Sequence, residues 1–162
     1  MPVENNNGCA LHDCFSLKDN ILMRTGWYGF TVVGIYGIYK QNPVLALAYI
    51  FYVIIGYSQI VIPWLCAHCP YPYKMSACLF MPAGFLRKFY AYRGPEPIMA
   101  RKIAANAIMA GTVIIPNFWL VNDIPLLIIF WMFGLPTLIA FPFHYCKHCR
   151  HFGCSLNKAE KS

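Results

Sequence analysis

The chain has 162 residues, of which 59% are hydrophobic, 17% aromatic and only 12% charged. A soluble domain carries about 25% charged residues, so this composition excludes a large soluble core and points to an integral membrane protein. The net charge of +7 falls at the ends of apolar runs, where an anionic membrane surface accounts for it without nucleic-acid binding.

Residues 1–20, "MPVENNNGCALHDCFSLKDN", form a polar N-terminal segment containing Cys9, His12 and Cys14. This stretch has no basic region ahead of an apolar one, and no small-residue cleavage site follows "GWYGFTVVGIYGIY". The first apolar segment is therefore expected to be retained. Pro2 stands where myristoylation needs glycine, and no C-a-a-X motif ends the chain.

Four transmembrane helices are expected, at Ile21–Tyr39, Pro43–Leu65, Ile98–Leu120 and Ile124–Phe143. Each approaches the ~20 residues that cross a hydrocarbon core. The second and fourth are strongly apolar. Arg24 near the start of the first is expected to snorkel to the headgroups, and Arg101, Lys102 and Asn106 make the third the weakest. Gly26, Gly29, Gly34 and Gly37 give the first helix a small-residue face for close packing. The connections "KQNP" and "VND" are tight, so the spans pair into hairpins at residues 21–65 and 98–143.

Between the hairpins, residues 66–97 form a cysteine-containing loop. Its stretch "LFMPAGFLRKFYAYRGPEP" suits a short interfacial helix ended by "GPEP". Residues 144–162 form a second cysteine-containing tail. Lys18, Arg24, Lys74, Arg87, Lys88, Arg93, Arg101, Lys102, Lys147, Arg150, Lys158 and Lys161 lie on one side of the membrane, and Lys40 on the other. The positive-inside rule makes that crowded face cytoplasmic, with both termini on it. The fold class is thus an all-α, multi-pass protein of a cell membrane or other inner-type membrane. Its two hairpins carry cysteine-rich cytoplasmic knuckles.

All eight cysteines fall on the same face: Cys9, Cys14, Cys66, Cys69, Cys78, Cys146, Cys149 and Cys154. Reducing conditions there disfavour structural disulfides and leave metal binding or redox chemistry. The two halves also look alike. Each ends its second helix near a proline (Pro63, Pro142), followed by C-x-H-C and a third cysteine, as a parallel repeat would. Cys66, Cys69, Cys146 and Cys149 supply the four soft ligands of a tetrahedral zinc site joining the hairpins. Cys78 and Cys154 are expected to complete a second site with Cys9 and Cys14, or to remain free. Eight cysteines also suffice for two iron–sulfur clusters, although neither run has the C-x2-C-x2-C spacing. His68 and His148 occupy the middle of their C-x-x-C pairs and are expected to face solvent or to lie beyond the ligand shell. His12, His144 and His151 sit near the interface.

No nucleophile triad, phosphate loop or H-E-x-x-H motif is present, and no carboxylate lies within a span. No catalytic reaction is legible, and transport is disfavoured. The leading expectation is a zinc-stabilised docking or assembly subunit, in contact with the lipid bilayer and with a membrane or cytoplasmic protein partner. An iron–sulfur electron-transfer subunit is the alternative. A thiol-redox or metal-handling protein is the third possibility.

Overall fold

The computed structural model describes residues 16–74, 78–94 and 98–146. Every regular element among them is helical. Helix α1 spans Leu17–Gln41 and starts on a reciprocal cap, in which Ser16 accepts from the Asp19 amide and the Asp19 carboxylate accepts from the Ser16 amide. At its far end the chain turns through Asn42, whose side chain accepts from the amides of Val44 and Leu45 and so starts α2, Pro43–Ile55. Pro43 opens that helix because the first turn has no use for its missing N–H.

Helix α2 widens into a π-helical segment, Gly56–Val61, and tightens again as α3, Ile62–Trp64. Pro63 cannot donate to the helical ladder, and the ladder shifts register around it. A 3₁₀ turn at Cys66–His68, the short α4 (Pro70–Lys74) and α5 (Ala83–Phe89) then cover one end of the bundle. Leu86 of α5 is fully buried, whereas Phe85 and Phe89 are exposed. Helix α6 spans Met99–Leu120, and α7 spans Ile124–Ala140 after Asp123, whose carboxylate caps the Leu126 amide. Helix α7 too passes into a π-helical segment, Phe141–Tyr145, which contains Pro142. The same distortion therefore lies near the end of the second helix of each hairpin, ahead of its cysteines.

Among the described residues, three helical stretches are long and apolar enough to cross a membrane: Pro43–His68, Met99–Leu120 and Ile124–Tyr145. The third expected span, read as the weakest, belongs to this group. It is α1 that falls short, for compositional reasons. Its 25 residues are diluted by four glycines, three tyrosines and two threonines. Those same residues make α1 the hub that touches α2, α6 and α7. The glycine face is used as expected: Gly26 lies against Thr137, Gly29 against Phe133, Gly34 against Pro116 and Gly37 against Leu120. Trp27 and Phe30 of α1 meet Phe130 of α7 and Leu120 of α6 in a buried core.

Candidate functional site

A cavity of about 130 Å³ lies at the covered end of the bundle. Its walls are apolar apart from sulfur and the Tyr57, Tyr71 and Tyr145 side chains. Each π-helical segment delivers a cysteine to it. Cys66 follows the first, past the turn at Leu65, and Cys146 directly follows the second. Cys69 ends the 3₁₀ turn, where its amide donates to the Cys66 carbonyl at 3.1 Å. Cys78 enters from the loop ahead of α5. All four cysteines within the described residues line this one cavity. Cys78 and Cys146 are buried, and Cys66 and Cys69 are partly so.

This arrangement regroups the sulfurs expected from the sequence. Cys66, Cys69 and Cys146 line the same cavity, and Cys78, expected at a separate site or free, lines it with them. Cys149, Cys154, Cys9 and Cys14 lie outside the described residues, as do His12, His148 and His151. Among the described residues, no three of the His, Cys, Asp and Glu side chains are gathered closely enough to hold a single metal ion. The thiols are spread around the walls of the cavity.

Cys78 has the most specialised surroundings of the four. Its sulfur accepts the backbone N–H groups of Phe80 and Met81. Burial pushes this thiol up, while the two amide donors and the nearby Arg24 guanidinium pull it back. Across the loop, Tyr73 donates to the Tyr90 carbonyl at 2.9 Å. Burial raises the Tyr73 hydroxyl above its ordinary value, and the charges of Cys66, Cys69 and Cys78 add to the effect.

Arg24 and His68 both have defined surroundings. One of the terminal nitrogens of Arg24, Nη2, donates to the carbonyls of Cys78 at 2.9 Å and Met81 at 3.0 Å. His68, one of the two histidines expected to face solvent or to lie beyond the ligand shell, does not face solvent. It is 5% exposed, and its Nδ1 lies 2.8 Å from the Gly94 carbonyl. A carbonyl only accepts, so Nδ1 carries a proton. The Nε2 atom of the same ring is buried without a hydrogen-bond partner among the described residues. Gly94 adopts φ +95°, a left-handed conformation that favours glycine. The Arg93 amide beside it donates to the Ala67 carbonyl.

Residues that the sequence reading passed over include Tyr57 and Met109 on the cavity wall. No sequence pattern distinguishes them from ordinary packing residues. Arg24 did carry a signal, because an ionisable residue about two turns into an apolar helix is a functional candidate by default. No protein-family model matches this chain, and comparison with curated proteins and with solved structures found no significant similarity.

Proposed function

We propose that the protein is a small multi-pass membrane metalloprotein whose cysteine thiolates hold a metal centre between two helical hairpins. One observation carries this reading: cysteines from the loop that follows the first hairpin and from the segment that follows the second line a single apolar cavity. Thiolates are the soft ligands that a metal ion such as zinc takes up, and metal binding of this kind is coupled to folding. The centre clamps the hairpins together and shapes the basic covered end as a docking face for a protein partner.

Zinc is the first candidate, since four thiolates form a closed structural site with zinc–sulfur distances of about 2.3 Å. Cys66, Cys69, Cys78 and Cys146 would have to move inward to close on one ion, or Cys149 would replace one of them. A second reading has its own support. Four cysteine sulfurs on the cavity wall match the thiolate count that an iron–sulfur cluster takes, which would make the protein an electron-transfer subunit.

In this reading α1 is a fourth span. Its 25 residues extend about 37 Å at 1.5 Å per residue, enough to cross the hydrocarbon core. Its outer side exposes Leu22, Val32, Tyr36 and Tyr39 to lipid. The covered end and both termini face the cytoplasm, where the lysines and arginines gather.

Metal analysis and a visible absorption spectrum of anaerobically purified protein test the proposal. Zinc without a chromophore supports the clamp, and iron with acid-labile sulfide supports the electron-transfer reading. Metal-free protein with reactive thiols would overturn both in favour of thiol chemistry.

A further inference from the structure

Helix α5 and the residues after it run beside the last turns of the first hairpin. Leu86 is fully buried in a cluster with Ile62, against which Cys66 and Tyr90 pack. The Tyr90 hydroxyl donates to the Ser58 carbonyl at 2.9 Å. Ser58, Ile62 and Cys66 are spaced four apart, about one turn each, so these contacts step back along the membrane-length stretch Pro43–His68. The deepest of them has a local cause. In the π-helical segment the Ile62 amide reaches back to the Tyr57 carbonyl. The next amide in that register belongs to position 63, a proline with no N–H to give. Tyr90 supplies the donor that Pro63 withholds from Ser58, and so fixes the depth at which the α5 segment lies.

At that depth the segment turns an uncovered surface outward. Phe85 and Phe89 lie four apart, and their rings, 4.7 Å from each other, are 45% and 61% exposed. Lys88 and Arg93 of the same run are exposed, and the Lys88 Nζ atom sits 5.7 Å from the Phe89 ring. Lys74 is exposed too, with its Nζ atom 5.9 Å from the Tyr92 ring. Among the described residues the one ion pair is Lys40 with Asp123, at the opposite end of the bundle. None of the three cations therefore meets a carboxylate there. Exposed rings beside such cations, level with the last turns of a span, match the layer where acyl chains give way to phosphates.

We propose that the α5 segment is a binding surface for anionic lipid: Phe85 and Phe89 enter the acyl boundary, and Lys74, Lys88 and Arg93 take the lipid phosphates. The inference rests on the membrane part of the reading above and is independent of any metal.

The test follows thermal melting of full-length protein in mild detergent while phosphatidylserine, phosphatidylcholine or chain-free glycerophosphoserine is added. Phosphatidylserine should raise the melting temperature most, because a ligand that binds only the folded state stabilises it. Lys88→Gln combined with Arg93→Gln should weaken the apparent affinity for phosphatidylserine by about tenfold or more. Arg101→Gln combined with Lys102→Gln removes the same net charge elsewhere and should leave that affinity near wild type. Phe85→Ser combined with Phe89→Ser should blunt the response to both lipids. If that last variant does not fold, the comparison of the two charge variants decides alone. Equal weakening by the two charge pairs would make the effect one of net charge and overturn the inference. So would an equal response to phosphatidylcholine, or to glycerophosphoserine, which would mean a site for free phosphate. Membrane-embedded protein that answers to neither lipid would overturn it as well, leaving this surface to a protein partner. Wild-type protein recovered in the aqueous phase without detergent would instead remove the membrane reading itself.

Discussion

Cys66 and Cys146 face the same cavity, and each arrives there from a transmembrane-length helix that passes through a π-helical segment. In the first segment the Ile62 amide reaches back to the Tyr57 carbonyl, and in the second the Cys146 amide reaches back to that of Phe141. A π-bulge re-aims the residues beyond it, and such bulges recur at functional sites. Two of them ahead of two cysteine runs give the halves of the chain a shared construction that composition alone would not require.

If the cavity holds a metal, its ligands will be separable one by one. Cys66→Ser, Cys78→Ser and Cys146→Ser should each lose most of the bound metal and lower the melting temperature by about 10 °C or more, because metal binding is coupled to folding. Metal per protein and thermal melting, measured together with Cys149→Ser, check this. Full occupancy with unchanged stability in any one mutant removes that sulfur from the ligand set.

His68 should behave as a buried structural side chain. His68→Ala loses the hydrogen bond to Gly94 and opens space beneath the 3₁₀ turn, at a cost of about 1–3 kcal/mol. Metal content should be retained. A mutant that loses metal in proportion to the cysteine mutants would make the ring a ligand.

The glycine face of α1 predicts a contrast. A Cβ at Gly34 would sit 2.9 Å from Pro116, whereas one at Gly84 meets open space. Gly34→Ala should destabilise by about 1–3 kcal/mol through overpacking. Gly84→Ala, in helix α5, should be neutral or stabilising by up to about 1 kcal/mol. Equal melting temperatures for the two variants would mean that α1 and α6 are not in close contact.

At the opposite end of the bundle, Lys40 of α1 pairs with Asp123 ahead of α7 at 2.5 Å. The Lys40 side chain holds the Asp123 carboxyl below its ordinary value, and the Leu126 amide adds to this. A depressed carboxyl stabilises the fold above its unfolded pKa, and that contribution disappears as pH falls through the folded one. Melting temperature should therefore lose a small increment below about pH 4, and Asp123→Asn should remove that increment. The pair is solvent-exposed, so the effect should not exceed about 2–4 °C. An Asp123→Asn protein with an unchanged acid limb would show that the pair does not couple the hairpins.

Orientation has a direct check. With the covered end in the cytoplasm, a membrane-impermeant thiol reagent applied to intact cells should leave all eight cysteines unmodified. The same reagent should reach the more exposed ones after the membrane is opened. Labelling of Cys66 or Cys69 from outside sealed cells would invert the topology.

The sequence by itself determined the helical membrane class, the tight turns at Asn42 and Asp123, and the placement of cysteines just beyond two apolar helices. These are local properties: apolar run length, a capping side chain and a proline each act within a few residues. Only the tertiary structure decided which sulfurs share a cavity, because Cys78 reaches it through a loop whose path is set by Arg24 and Tyr28, more than fifty positions earlier. His68 is buried for a similar reason, since its partner is a carbonyl turned toward it by the left-handed backbone of Gly94. The standing of α1 also depended on packing. Glycine, tyrosine and threonine weaken its hydropathy, yet the same small and hydrogen-bonding residues let α6 and α7 approach it closely. A hydropathy pattern counts what a side chain would gain in lipid, and it cannot see what that side chain gains against a neighbouring helix.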